Sequence, residues 1–166
     1  MVFCVIIVLV KRMFSNELVC NILDYINKNI NKEITIDELS NIFYYDKTYI
    51  MKRFKKELSI TIFDYINSMR VFNSLTLYSF DNYIIYIAFK SGFNSLEYYS
   101  EMFKKIMGVS PSIYRKYVNR DISIKDKEID LILYNIVKLN RIKKMTDKYL
   151  NNRKPSIIMV KKIALK

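Results

Sequence analysis

The residues of this sequence best suited to a chemical task are the basic side chains of the stretch 47–58. Five of its twelve residues are Lys or Arg, against one acid, Glu57. Ile50, Phe54 and Leu58 recur every four positions, so a helix here would bury one apolar stripe. The opposite face, which we call the basic face, would present Thr48, Met51, Lys52, Lys55 and Lys56. Ammonium groups grouped on one face favour the binding of a polyanion.

The charge and residue inventory of the chain supports binding rather than catalysis. There are 28 Lys and Arg against 16 Asp and Glu, a formal net charge of +12, which indicates DNA, RNA or an acidic membrane surface as partner. With no His and only Cys4 and Cys20, a zinc site of the usual type cannot be assembled. The sequence also lacks an activated Ser or Cys arrangement and a glycine-rich phosphate loop. We therefore expect no enzyme, no cofactor and no metal.

Helices must position the basic face. Two glycines and two prolines in 166 residues favour long helices with short connections over a sheet. Helical periodicity starts at Asn16, Thr35 and Glu38 fit a capping box, and Asp46 caps the next helix. Thr61 begins a linking helix predicted over 62–79. The apolar residues expected to pack are Ile36, Leu39, Ile42 and Phe43 before the basic stretch and Phe63, Ile66, Met69, Phe72 and Leu75 after it.

The unit that contains the basic face is repeated. Phe54-Lys55-Lys56 recurs 49 positions later as Phe103-Lys104-Lys105. Around the second copy, a short helix from Ile84, a turn at Gly92, a helix from Ser95 to Met107 and a stop at Gly108 make a helix-turn-helix. Its second helix can lie in a DNA major groove. We expect an all-α fold with two helix-turn-helix lobes, at 35–58 and 84–107, joined by the linking helix.

The two ends of the chain carry weaker signals. Residues 2–10 are all apolar, but a membrane span needs about 20 such residues. We expect the segment 1–15 to pack on the protein or on a partner, with membrane association as the alternative. Residues 119–166 are predicted as an amphipathic helix over 126–150 and a basic tail, or the start of a truncated domain. The residues expected on the apolar face of that helix are Ile129, Ile132, Leu133, Ile136, Val137 and Leu139.

The ordered set of these elements resembles a known family. The motifs that carry the resemblance are ILDYI at 22–26, TIDELS at 35–40, YIMKRFKKE at 49–57, Arg70, IAFKSGF at 87–93 and FKKIMGVSPSIYRKY at 103–117. Over residues 21–117 the chain resembles the DNA-binding domain of the AraC/XylS family of bacterial transcription regulators. The resemblance implies a seven-helix domain, placed at 16–118, whose two recognition helices enter successive major grooves.

The resemblance also implies which side chains face DNA. In the first lobe the family's base-facing positions fall on Thr48, Met51 and Lys52, and its phosphate-facing positions on Lys47, Lys55 and Lys56. Lys52 can donate to guanine O6 or N7, Thr48 can donate or accept, and Met51 can contact a thymine methyl group. The weaker set in the second lobe is Leu96, Glu97, Tyr98, Glu101 and Lys105.

The sequence departs from the family pattern at three positions. Glu101 stands where relatives often carry a basic or amide side chain, and its carboxylate repels phosphates unless it accepts from cytosine N4. We therefore expect most base discrimination between Lys47 and Lys56. Tyr44 and Ser59 stand where the family usually has glycine. If these positions need a positive φ, Tyr44 is the costlier of the two.

Two functional hypotheses are open from the sequence. The first is a sequence-specific regulator in the cytoplasm, associated with the nucleoid, that binds double-stranded promoter DNA and, as the resemblance implies, activates by contacting RNA polymerase. The second is a protein or membrane-surface interaction module with only non-specific nucleic-acid binding. It would use the apolar N-terminus, the helix over 126–150 and the basic tail. The oligomeric state, the operator and the signal are left open.

Overall fold

A computed structural model describes residues 17–79 and 82–151. The predicted N-terminal segment 1–15 and residues 152–166 of the basic tail lie outside the described residues. The helices are α1 (17–28), α2 (Ile36–Phe43), α3 (Lys47–Leu58), α4 (Ile62–Ser74), α5 (Ile84–Lys90), α6 (Leu96–Met107), α7 (Pro111–Val118) and α8 (Asp126–Asn151). The described part contains no strand, in agreement with the predicted all-α class. None of its helices is long and apolar enough to cross a bilayer.

The first lobe is built by α1, α2, α3 and the start of α4. The periodic apolar residues of α1 are fully buried and pack against Leu39, Ile50 and Phe54. The predicted capping box at the start of α2 is present, since the Glu38 amide donates to Thr35 Oγ1 at 3.1 Å and the Thr35 amide to Glu38 Oε2 at 3.4 Å. The caps therefore fix where the helices of this lobe begin.

The linking segment passes from one lobe to the other. It is α-helical as far as Ser74 and continues as a 3-10 helix over Leu75–Ser79. The prediction that Phe63 packs inward is wrong, because its side chain is 45% exposed while Tyr65 is 1% exposed. The prediction that Ile42 packs inward is also wrong, because its side chain is 40% exposed. In both helices the neighbouring lobe elements, rather than the helix's own spacing, decide which apolar residue is covered.

A polar joint holds the second lobe against the first. The buried Arg70 guanidinium donates to the carbonyl oxygens of Ile30 at 2.8 Å and Lys32 at 2.6 Å and lies 5.7 Å from the Phe93 ring. Burial lowers the pKa of this guanidinium. Gly92, at φ +89°, comes so close that a Cβ there would lie 2.7 Å from Asn31 Cα. The turn of the second helix-turn-helix thus needs glycine both for its backbone angle and for this contact.

The second lobe encloses an aromatic core between the 3-10 helix, α5, α6 and α7. The Tyr78 and Tyr99 hydroxyls lie 2.9 Å apart, and Tyr99 also donates to Ser74 Oγ at 3.1 Å. Phe103 packs against Tyr78 and Tyr114 with ring centroids 5.8 and 5.5 Å away. Burial raises the pKa of Tyr114 to about 12. The Tyr78 and Tyr99 hydroxyls are structural hydrogen-bonding groups of this core.

The C-terminal helix α8 packs along both lobes. Ile132 and Leu139 are buried in the second core, while the end of the helix packs against the first through Ile142 and Tyr149. The buried Asn135 amide donates to the carbonyl of Met107 at 3.1 Å and so satisfies an orphan carbonyl at the end of α6. The expectation that Leu133 and Val137 share this face is wrong, because they are 47% and 49% exposed.

Candidate nucleic-acid interface

The first recognition helix, α3, is set at a fixed angle to α2 by the turn between them. Asp46 caps α3, its carboxylate accepting from the amides of Thr48 at 2.8 Å and Tyr49 at 3.2 Å. The Ser40 hydroxyl donates to the Tyr45 carbonyl at 2.7 Å. Tyr44 adopts φ +58°, and Ser59 at the other end of α3 adopts φ +57°. The lobe therefore keeps the left-handed backbone that glycine favours, with other residues in its place.

Replacing Tyr44 by Gly is expected to stabilise the protein by about 0.5–1 kcal/mol. A bulky residue pays roughly 1–2 kcal/mol for the left-handed conformation, more than the entropy that glycine adds to the unfolded chain. Little packing is lost, since Tyr44 is 92% exposed. Urea unfolding measures the change. Asn41→Gly in the exposed part of α2 is the control and is expected to destabilise by a few tenths of a kcal/mol; a loss of stability in Tyr44→Gly contradicts the strain.

The basic face is formed as predicted on the helix. Thr48, Met51 and Lys52 are exposed on the side opposite the fully buried Ile50 and Phe54. Lys55 and Lys56 are exposed in its last turn, where they also complement the helix dipole. Every side chain of the face is therefore exposed to solvent.

Two basic residues of α3 are engaged within the protein. Lys47 forms an ion pair with Asp37 of α2, both partners remaining about half or more exposed. Arg53 pairs with Glu57 at 2.6 Å in a more buried setting, beside Tyr149 of α8, whose pKa is raised mainly by burial and next by the Glu57 charge. Arg53 is consequently part of the packing of α8. Lys47 must exchange Asp37 for a phosphate in order to contact DNA.

Two tyrosines beside the basic face were not among the predicted contacts. Tyr45 and Tyr49 stack with ring centroids 5.4 Å apart and remain 43% and 45% exposed. Tyr49 precedes the buried Ile50, so its position off the apolar stripe was a usable signal in the sequence. The stacked rings enlarge the surface next to Lys52 and can pack against sugar or base.

The second recognition helix, α6, is capped as well as α3 is, but it carries different side chains on its exposed surface. Ser95 accepts from the Tyr98 amide at 3.1 Å, and Gly108 ends the helix at φ +76°. Of the predicted residues, Glu97, Glu101 and Lys105 are exposed, whereas Leu96 is half-buried against the second core. The exposed surface of α6 thus combines two carboxylates with its lysines.

Tyr98 connects α6 to the linking helix. Its hydroxyl accepts from the Asn67 amide at 3.0 Å, and its ring lies 5.9 Å from Phe93. The side chain is nevertheless 43% exposed. Tyr98 therefore holds the recognition helix in place while part of its side chain stays exposed, where a ligand could contact it.

The linking segment is comparable in length to the spacing of successive major grooves. Its 13 α-helical residues and five 3-10 residues extend about 30 Å at roughly 1.5 and 2.0 Å per residue. Successive major grooves on one side of B-DNA are about 34 Å apart. Within the described residues no group of three His, Cys, Asp or Glu side chains is placed to hold a metal ion.

Comparison with known proteins identifies a matching domain. The profile of a family described as "Helix-turn-helix domain" matches residues 39–117. The chain is 33% identical over 108 residues to the transcriptional regulatory protein HptR of Staphylococcus aureus, a match that covers 65% of this chain and 43% of the relative. The chain thus spans less than half the length of the curated relatives that it matches.

Solved structures resemble the same region. The C-terminal domain of AraT, a response regulator from Geobacillus stearothermophilus, is 28% identical with a TM-score of 0.58, covering 60% of this chain and 84% of that domain. The DNA-binding domain of the transcription factor AdpA, solved with a target DNA, is 19% identical with a TM-score of 0.56, covering 63% and 96%. At that lower identity the second likeness concerns the fold.

Proposed function

We propose that the chain, which a helix-turn-helix family model matches over residues 39–117 and which is similar to the C-terminal domain of AraT, belongs to the AraC-type helix-turn-helix family and is a sequence-specific transcription regulator. Its partner is double-stranded promoter DNA, bound by a domain at 16–118. We further propose that it acts at the nucleoid in the cytoplasm as an activator that contacts RNA polymerase. In support, the chain is similar in sequence to a named transcriptional regulatory protein, and its fold resembles that of the DNA-binding domain of a transcription factor solved with DNA.

The observation that carries this proposal is the basic face of α3. Lys52, Lys55 and Lys56 are exposed on one helix together with Thr48 and Met51, while the apolar side of that helix is buried to 3% exposure or less. A rigid helix that presents ammonium and hydroxyl groups can contact phosphates and base edges together. We assign Thr48, Met51 and Lys52 to bases, and Lys47, Lys55 and Lys56 to phosphates.

The second lobe has a supporting role in this proposal. Leu96 and Tyr98 are held by the fold, and Glu97 and Glu101 oppose phosphate binding unless cytosine N4 donates to them. Lys105 adds a phosphate contact. The two recognition helices enter successive major grooves, and the lobe with α6 mainly positions the lobe with α3.

The interaction-module hypothesis loses one of its elements. It used the apolar stripe of the helix over 126–150 as a surface for a membrane or a partner protein, and within that stripe Leu133 and Val137 are the residues left about half exposed. Ile132 and Leu139 of that stripe are 0% and 2% exposed because they pack into the second core. An apolar face already buried in the fold cannot also insert into a lipid surface.

Competitive binding after selection from random duplexes tests the proposal. At physiological salt the affinity for the best selected site is expected to exceed that for random DNA by at least about 10³-fold, as for specific regulators. Both affinities must fall as salt rises, because phosphate contacts release counterions. A preference below about tenfold contradicts sequence-specific regulation and leaves only non-specific binding.

A further inference from the structure

The face of α8 that points away from the lobes carries an ordered set of charges. We call it the outer stripe and define it as Asp126, Asp130, Leu133, Val137, Arg141, Lys144 and Lys148. All seven residues are exposed. At about 100° per residue they lie within roughly 80° of one another around the helix. The buried residues Ile132 and Leu139 are on the opposite side, so the stripe stays exposed where α8 packs on the lobes.

The outer stripe changes character along its length. The carboxylates of Asp126 and Asp130 occupy its first turns, and the ammonium groups of Lys144 and Lys148 its last turns. Between them lie Leu133 and Val137, which are 47% and 49% exposed, followed by the exposed guanidinium of Arg141, which extends the basic end. Neither carboxylate forms a salt bridge with a residue of the described part. An acidic end, an apolar middle and a basic end on one face are complementary to the same face running in the opposite direction.

The acidic and basic residues of the outer stripe are placed at equal intervals on either side of Val137. Asp130 precedes Val137 by seven residues and Lys144 follows it by seven; the intervals for Asp126 and Lys148 are both eleven. In an antiparallel helix pair with Val137 on a two-fold axis, Asp126 faces Lys148 of the partner subunit and Asp130 faces Lys144 of the partner subunit. Because a two-fold axis repeats each contact, one register forms four ion pairs around an apolar centre.

We propose that the outer stripe is a dimerisation surface whose occupant is a second copy of this chain, bound antiparallel through α8. The charge order selects this occupant. A uniformly acidic partner would satisfy only the lysines and would be repelled by the aspartates, and a basic partner would do the reverse. The stripe extends about 33 Å at 1.5 Å per residue, with modest apolar content, so association is reversible and depends on concentration.

One consequence rests on the proposed function. A two-fold dimer presents its two DNA-binding domains in opposite orientations, so its preferred operator is an inverted rather than a direct repeat. The dimer itself is independent of DNA, and it is tested in DNA's absence so that failure of either proposal can be distinguished.

Sedimentation equilibrium of the full chain over a concentration series, at physiological ionic strength, is the test. The wild type is expected to show a reversible monomer–dimer equilibrium. The double change Asp126→Lys with Asp130→Lys places like charges opposite each other and is expected to raise the dissociation constant at least about tenfold. Lys144→Asp with Lys148→Asp is expected to do the same. Combining all four changes restores opposite charges in the same register and is expected to return the constant to within about threefold of wild type.

The controls separate the stripe from general charge effects. Glu97→Lys with Glu101→Lys changes the net charge as much as the aspartate pair does, but on α6, and is expected to leave dimerisation unchanged. Circular dichroism establishes that each variant keeps its helices. A wild type that remains monomeric overturns the proposal. The proposal is also overturned if the α6 control weakens dimerisation equally. It is overturned as well if the variant with all four changes dimerises as weakly as the double variants.

Discussion

Replacing Lys52 by Ala is expected to weaken binding to the best DNA site by about 1–3 kcal/mol, with a smaller loss on random DNA. Lys52 lies in the middle of the basic face, exposed between Thr48 and Lys55, where an ammonium group can donate to guanine O6 or N7. Truncation leaves that acceptor without its donor. Fluorescence anisotropy with the selected site and a scrambled duplex of equal length measures both affinities.

Glu101→Ala is the comparison in the second lobe. The Glu101 carboxylate is exposed on α6, so its removal relieves repulsion of the phosphates and is expected to leave affinity unchanged or to improve it. Equal losses in the two variants would show that the second lobe reads bases as well. A uniform loss in Lys52→Ala across all duplexes would instead make Lys52 a phosphate contact.

Replacing Leu139 by Ala is expected to lower the free energy of unfolding by about 2–5 kcal/mol, as for other buried leucines. Leu139 is 2% exposed in the second core, at the middle of α8, just before the helix passes to the first lobe. The cavity cannot be filled by collapse without moving α8 away from the lobes that it joins. Urea unfolding at low protein concentration, where dimerisation is negligible, measures the loss.

Leu133→Ala provides a matched control on the same helix. The substitution is chemically identical, but Leu133 is 47% exposed on the outer stripe, so the expected change is within about 0.5 kcal/mol. If both variants lose the same stability, the burial difference along α8 is not what holds this helix to the lobes. If neither loses stability, α8 does not dock as described.

Local signals in the sequence were sufficient to predict where helices begin and end. The Thr35 capping box, the Asp46 cap and the stop at Gly108 are each made by residues within four positions of the group they satisfy. Such interactions join residues that are close in the sequence, so local sequence patterns are enough to predict them. The buried stripe of α3 follows for the same reason, since its spacing is strictly helical.

Contacts between distant segments could not be predicted in the same way. Phe63 and Tyr65 are both apolar candidates on α4, and only the position of the first lobe decides that Tyr65 is the buried one. The ion pair of Lys47 with Asp37 likewise joins two helices. Neither local periodicity nor capping specifies which helices meet, so these pairings required the fold.

The packing of α8 on the lobes is the most extensive contact between distant segments that the sequence did not predict correctly. Its apolar periodicity correctly predicted a helix but placed Leu133 and Val137 on the buried face with Ile132. In the structure Asn135 and Thr146 are buried on that face instead. Asn135 is buried because its amide donates to Met107 at the end of α6. A polar residue that satisfies a distant backbone group is invisible to a hydrophobic pattern.

The most direct test is the base-preference profile obtained by selection from random duplexes. It shows whether both lobes contact DNA and whether the first lobe is the one that distinguishes between bases. We expect one sharply defined segment, bound by α3, and a weakly defined segment about 10 base pairs away, bound by α6. Two equally sharp segments would contradict the division between the lobes. A profile with no defined segment would contradict sequence-specific recognition altogether.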